Sequence, residues 1–592
     1  MTVLLRKTTQ ALLPLRKPVT EPGVYDIYPT FPVPVGNMFS GFTTLAERLS
    51  GFKTIIIDGF EGIGYEEFVA ALEAEFSIRG LRSAVRFTAE ALKPSDEVEG
   101  MISPFLGGDD PLFGTRTTLS LEDFFDTPKL SAILPDPAAD INILAGPGAA
   151  LAGWDGLLVY IDLPKNELQY RARAGSVMNL GASQPASPKA MYKRFYFVDW
   201  IVLNRHKGKL AKRVDLVVDG QRPDEPVWME GSPFWETLNE LSRNTFRVRP
   251  WFEPGAWGGH WIRTRIPGVN PDVPNYAWSF EMIVPENGLI LENKGLMLEV
   301  TFDWLMFLEP ESVLGNAYPV YGSGFPIRFD FLDTFDGGNL SIQCHPKTNY
   351  IREHFGETFT QQEAYYILDT QNNAKVNLGF CEDIDPEAFR KELEASAENG
   401  TSVDIERFVQ AHPARKHDLF LIPDGTIHGS GTDNLVLEIS TTPYIYTFKL
   451  YDWLRPDLDG NPRDLNIRRA FDNLCFERKG DLVKKELISH PALLSEAENG
   501  QVVHLPTHPL HLYDVIRFHF TGRMSHSTGN DCLVMSLVEG TSILVRTGIR
   551  EQRFNYAETF VIPAAAGTFE MIHEGPGEAM VVAAFMKPVN PR

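Results

Sequence analysis

The chain has 592 residues, of which 43% are hydrophobic and 11% aromatic, a composition that fills globular cores and excludes a disordered protein. A net charge of −23 disfavours nucleic acid and anionic membranes as main partners, although a local basic pocket can still hold a phosphorylated substrate. Cys344, Cys381, Cys475 and Cys532 are widely spaced with no CxxC pair, which predicts reduced thiols in a cytoplasmic protein. No apolar run is long enough to cross a bilayer, and the length predicts about three or four domains.

Residues 1–47 hold several prolines and aromatics and little helical pattern before Thr43. Met1 to Lys17 is basic but lacks a long apolar stretch or a small-residue cleavage site, so it reads as a strand or an ordered arm. Thr54-Ile55-Ile56-Ile57-Asp58-Gly59 reads as a buried parallel strand. Gly59 and Gly64 stand in the register of a phosphate-binding P-loop before a helix running to about Arg79. Tyr65 and Glu66 occupy the positions of the lysine and the hydroxyl residue that such a loop needs. Further parallel strands are predicted at 139–149, 156–164 and 213–220, with a helix over Tyr192 to Asn204. Strands alternating with helices imply an α/β sandwich over residues 1–240. The arrangement resembles uridine-kinase-like P-loop proteins whose phosphate site has been lost. On that reading the domain catalyses nothing.

Pro-rich residues 221–228 and a short helix near Pro233 to Arg243 form a predicted linker. Short strands with Gly, Pro and Asn turns follow, the pattern of an all-β sandwich or barrel over 241–474, interrupted by a helical insertion near 385–411. Pro386 at the first turn and an acidic start favour that helix. Within the β region, Gln343 and His345 lie two apart on a strand-like run and so share a face. Glu363 opens a Tyr-rich strand, and His428 follows a turn made by Pro423, Asp424 and Gly425. A glutamine oxygen, two imidazoles and a carboxylate make a four-ligand shell suited to zinc or a related divalent ion. Beyond Cys475, residues 475–592 read as a last barrel in which Ile562-Pro563 echoes Ile422-Pro423 but no histidine follows. His504, His508 and His511 cluster on a Pro-rich loop and read as surface or structural histidines.

The set Gln343-Cys344-His345-Pro346, Glu363 in its Tyr-rich strand and Ile422-Pro423-Asp424-Gly425-Thr426-Ile427-His428 resembles the type I mannose-6-phosphate isomerases (phosphomannose isomerases) of the cupin superfamily. Trp257-Gly258-Gly259, Phe325-Pro326, Leu435 to Ser440 and Tyr451-Asp452-Trp453-Leu454-Arg455 agree with it, from about Trp251 to the C-terminus. The resemblance implies a multidomain protein, an N-terminal α/β P-loop-like domain followed by an all-β bicupin with a helical insertion. The second cupin has no metal site. It implies one zinc ion per chain on Gln343, His345, Glu363 and His428, and an aldose–ketose isomerase interconverting mannose 6-phosphate and fructose 6-phosphate or a related sugar. Arg455 takes the place of an essential pocket arginine, and Glu438 that of an acid near the site.

The chain departs from the family at Asp330, where a substrate-pocket lysine is usual. An anion there repels a phosphate, so Arg328, two residues earlier on the same strand face, and Lys347, just after His345-Pro346, are the expected substrate-binding cations. The departure keeps a second reading open, a non-catalytic, metal-containing sugar-binding or regulatory bicupin.

Overall fold

Thr54–Gly59, buried on both faces, lies at the centre of five parallel strands. The structure, a computed structural model, describes residues 4–588 apart from 35, 285, 459, 461 and 549. Ile141–Ala145 and then Ser83–Phe87 flank the central strand on one side, and Leu157–Asp162 and Leu216–Asp219 on the other. Val227–Glu230 and Met38–Ser40 extend the sheet antiparallel. Nearly continuous apolar strands of this kind need helices on the sheet faces. The helix Tyr65–Ile78 supplies Phe68, Val69, Leu72 and Phe76 to the core beside Ile55 and Ile57. The predicted helix from Tyr192 is longer than expected: Pro188–Arg194, a π-helical turn Phe195–Asp199, then Trp200–Leu210.

Two compact units form, and neither is one stretch of chain. The first comprises Met1–Pro18, Tyr28–Leu241 and Pro285–Glu309, and the second Val19–Ile27, Ser242–Val284 and Pro310–Arg592. The single break near 240 expected from the linker is therefore joined by an excursion. The hairpin of Gly288–Asn293 and Leu296–Thr301, with the helix Asp303–Leu308 after it, packs with the α/β sheet. Its backbone caps the carboxyl ends of the sheet strands: Thr301 N–H donates to Asp162 at 2.7 Å and Glu299 N–H to Asp219 at 3.0 Å. Sequence could not reveal this, because the pairing depends on buried acceptors more than a hundred residues away in the case of Asp162.

The second unit is built on antiparallel sheets. A six-stranded sheet orders Leu419–Ile422, Glu363–Thr370, Asn434–Thr441, Ile327–Asp333, Trp278–Met282 and Trp251–Glu253. A five-stranded sheet orders Val409–Pro413, Lys375–Phe380, His428–Ser430, Ile342–Cys344 and Phe448–Tyr451. Tyr365, Ile367, Val376, Leu378 and Phe420 from both sheets share one core. The helical insertion expected near 385–411 is corrected at its end: after residue 404 only Ile405–Arg407 turn, and Val409–Pro413 is a strand paired with Lys375–Phe380. The open edge of that strand and the β-branched Val409 outweigh the weak helical pattern. The helix Pro386–Asn399 forms where expected, capped by Asp385.

The break expected at 475 is displaced as well. Cys475 N–H donates to Gly425 O at 2.9 Å, Phe476 stacks on Phe380 at 4.7 Å, and Leu421 N–H donates to Leu487 O at 2.8 Å, so this segment belongs to the body around His428. A further pair of sheets begins only at Ala492. One has six strands from Ala492–Ala497 to Thr559–Ile562, the other four, and both line a core that includes Phe518, Met535, Val545 and Phe554.

Candidate metal centre

Register alone brings the polar groups of the second unit to one face. Gln343 pairs directly with His428 across the five-stranded sheet, and Glu363 lies opposite Ser440 in the six-stranded one. The ligating atoms of His345, Glu363 and His428 all lie within 4.8 Å of one another, and the three residues are buried. Among the described residues they are the only group of three or more His, Cys, Asp or Glu side chains that converges in this way. Nε2 of His345 is 2.6 Å from Glu363 Oε2, and Nε2 of His428 is 3.1 Å from the same oxygen. The Gln343 amide lies 3.3 Å from His428 Nε2, and its Oε1 accepts from Ser341 Oγ at 2.7 Å.

The second ring nitrogens fix the ring orientations. His345 Nδ1 faces Tyr446 O at 3.1 Å and His428 Nδ1 faces Thr426 O at 2.9 Å. Both Nδ1–H groups therefore donate to backbone carbonyls, which turns each Nε2 toward Glu363; each Nε2–H donates to the carboxylate here, and a metal would take the place of those protons. Burial raises the Glu363 carboxyl, but the two imidazoles outweigh it and hold the group well below its ordinary range. A divalent ion with two imidazoles and one oxygen donor fits this donor set, with Gln343 beside it as a fourth.

Next to this set is a buried carboxyl cluster. Asp330 and Glu438 face each other across paired strands. Arg328 binds both, through Nε to Asp330 at 3.2 Å and through a terminal nitrogen to Glu438. Glu438 also accepts from Gln361 Nε2 at 3.1 Å and Ser440 Oγ at 2.9 Å, and is hydrogen-bonded to Glu363. Burial pushes Glu438 well above the usual carboxyl range and pushes Asp330 up to about 6, against the pull of Arg328. The guanidinium of Arg328 is thus taken by two carboxyl groups of the protein.

Lys347 caps the helix Thr348–Phe355, its backbone N–H bound to Asn473 and its side chain beside Gly425. Arg455 lies beyond the strand Phe448–Tyr451, where Trp453 and Leu454 adopt positive φ. Its guanidinium is 2.6 Å from Asp452 Oδ1, and Arg463 Nε is 2.9 Å from Asp452 Oδ2. Sequence reasoning missed Lys449 and Arg463. Lys449 stands directly across from Gln343 in the sheet, hence on the same face. Burial first, and Arg463 next, push its ammonium down to about 8. The available signal was a lone lysine in the otherwise apolar or aromatic strand Phe448–Tyr451.

The three histidines near 508 do not converge. His504 pairs with Asp514 at 2.9 Å, His508 Nδ1 accepts from Leu510 N–H at 3.2 Å, and buried His511 stacks on Tyr513.

Residues 41–243 match a family model described as a domain of unknown function, DUF8485. The chain is similar to the probable mannose-6-phosphate isomerase GmuF of Bacillus subtilis (strain 168), 26% identical over 335 residues, 56% of this chain and 97% of that protein. It is also similar to the mannose-6-phosphate isomerase of Streptococcus mutans serotype c, 24% identical over 311 residues, 52% of this chain and 88% of that one. The crystal structure of the Bacillus subtilis mannose 6-phosphate isomerase matches 58% of this chain and 99% of its own, with 20% identity and a TM-score of 0.47. No helix among the described residues is long and apolar enough to cross a membrane.

Proposed function

We propose that this chain is an aldose–ketose isomerase of the mannose-6-phosphate isomerase type, zinc-dependent, interconverting mannose 6-phosphate and fructose 6-phosphate or a close relative. The convergence of His345, Glu363 and His428 on one buried point, with Gln343 beside them, carries the reading. Similarity to isomerases over nearly their whole length supports it.

When bound, the ion supplies a Lewis acid for the carbonyl and alkoxide oxygens of the sugar. Glu438 gives and takes the proton that moves between C1 and C2, a role suited to a carboxyl whose pKa burial raises above the ordinary range. Arg328 holds Glu438 and Asp330 in place and does not itself bind substrate. Lys449 meets the developing negative charge or the phosphate from the neighbouring strand, with Arg455 and Arg463 behind it. Lys347, beside the Gly425 turn, serves as a further cation for the substrate. In the first unit we retain the reading of a P-loop-like fold without phosphate transfer, and we read the last pair of sheets as a cupin without a metal.

Asp330 favours a second reading, a metal-containing sugar-binding protein that has lost catalysis. One assay separates the two: conversion of mannose 6-phosphate by the metal-loaded full chain, beside its His345→Ala/His428→Ala variant. Turnover by the first and none by the second is expected. No turnover in either, with metal bound to the first, would leave only the binding protein.

A further inference from the structure

One guanidinium gathers the turn that precedes His428. Arg478 Nη1 donates to Asp424 O at 2.5 Å and to Thr426 Oγ1 at 2.6 Å, and lies 3.1 Å from Pro423 O. All three acceptors belong to residues 423–426, and the arginine is half-buried over them. The chemistry above gives Arg478 no part.

The contact reaches the ligand through one residue. Thr426 O–H donates onward to Pro423 O at 2.6 Å, which leaves its oxygen lone pairs for Arg478. The carbonyl of the same Thr426 accepts from His428 Nδ1–H at 2.9 Å and so orients that ring. Asp424 is tied at two other points. Its N–H donates to Gln362 Oε1 at 2.9 Å, and its carboxylate accepts from Thr348 N–H at 3.0 Å. Arg478 is itself anchored by the sheet. Its carbonyl accepts at 2.9 Å from the N–H of Phe380, on the strand Lys375–Phe380 that pairs with His428–Ser430. The side chain thus runs from the strand beside His428 to the turn before it.

We infer, on the metal reading proposed above, that Arg478 is a positioning residue: it sets the direction of the His428 ring through Thr426, and with it the affinity for the ion. A guanidinium suits this task. One planar group presents several N–H donors at fixed angles, whereas an ammonium is a compact, rotatable point charge. Its charge also strengthens each bond to the turn beyond what a neutral donor gives. An arginine that merely held the fold would affect stability and leave the surroundings of a bound ion unchanged.

The test compares the full-length chain with its Arg478→Ala and Arg478→Lys variants. Zinc affinity is measured by competition with a chromophoric chelator, and the absorption spectrum of each cobalt(II)-loaded protein is recorded. Affinity should fall about 10–100-fold in Arg478→Ala, the range for groups that support a ligand from behind. Arg478→Lys should recover part of that loss. The cobalt bands should shift in both variants, because they report the arrangement of ligands around the ion. Val545→Ala, which removes volume from the core of the last sheets, is the control: the unfolding temperature should fall while affinity and spectrum stay as in wild type. Where Arg478→Ala does not fold, Arg478→Lys carries the same two readouts. Wild-type affinity and spectrum in the folded arginine variants would overturn the inference and leave the metal centre standing. An equal loss of affinity in Val545→Ala would also overturn it, by making the effect one of general stability. A wild-type chain that takes up neither metal would overturn the metal reading and the role of Arg478 together.

Discussion

At the level of single residues, the second unit is organised by how it pairs buried charge. Arg328 neutralises Asp330 and Glu438 where none of the three meets bulk water. Removing one member of such a set leaves uncompensated charge, which costs about 3–5 kcal/mol. Arg328→Ala should therefore lower the unfolding temperature of the second unit in scanning calorimetry far more than Arg455→Ala, whose partner Asp452 keeps Arg463. Lys449 gives a second prediction. Its ammonium, pushed down to about 8, is charged at neutral pH and loses its proton well before a free lysine would. The alkaline limb of kcat/KM should fall near that pH and move upward in Lys449→Arg, since a guanidinium stays protonated. Lys449→Ala should remove about 2–5 kcal/mol of binding to the substrate anion at neutral pH. A limb that stays put in the arginine variant would take Lys449 out of the reaction. The stability effect has the opposite sense to a salt-bridged lysine. From about pH 8 up to the unfolded value the unfolded chain binds more protons, so the folded state gains stability as pH rises.

Among elements, the turn between Leu419–Ile422 and His428–Ser430 is the one on which the centre depends. Gly425 has φ of +76°, and a Cβ there would come within 2.5 Å of Asn473 O and 2.9 Å of Cys475 Sγ. Gly425 N–H donates to His345 O at 2.9 Å, so the same turn sets the positions of both histidines. Gly425→Ala should cost about 1–2 kcal/mol for the left-handed backbone alone, with further loss from the clash. It should also release metal at lower chelator concentration than wild type in a competition titration. Metal retention equal to wild type would show that the turn does not position His345 and His428. In the first unit the corresponding loop, Phe60 to Gly64, is closed by its own side chains. Tyr65 O–H donates to Phe60 O at 2.9 Å, where a P-loop would present a lysine to phosphate.

For the molecule as a whole, the two units predict a division of labour. At the carboxyl end of the central strand, where open α/β sheets bind ligands, Asp58 already accepts from Gly148 N–H at 3.1 Å, Ala150 N–H at 2.9 Å and its own neighbour Gly59 N–H at 2.7 Å. His206 Nε2 lies 2.8 Å from the same carboxylate. The side chain of Asp58 is thus committed to the protein's own backbone, and the loop after it carries Tyr65 in place of a phosphate-binding lysine. The full chain should show no heat of binding with magnesium ATP and no ATP hydrolysis. Tight, magnesium-dependent binding would refute the reading.

The sequence by itself determined local features: the apolar run at Thr54, the capped helix at Pro386, and the order Gln343, His345, Glu363, His428 with turn chemistry before the last. These depend on periodicity, caps and turn residues, which act over a few neighbours. Strand alternation also put Arg328 and Asp330 on one face, but not what they face. Only the tertiary structure decided that Arg328 serves two carboxyl groups, that Lys449 stands beside Gln343, and that residues 475–488 belong with His428 while 288–308 belong with the α/β sheet. Those outcomes depend on cross-strand register and on which buried acceptor a distant donor reaches. Alternation and turns constrain register between neighbouring strands, but which strands from distant parts of the chain meet is decided by the packing of whole sheets.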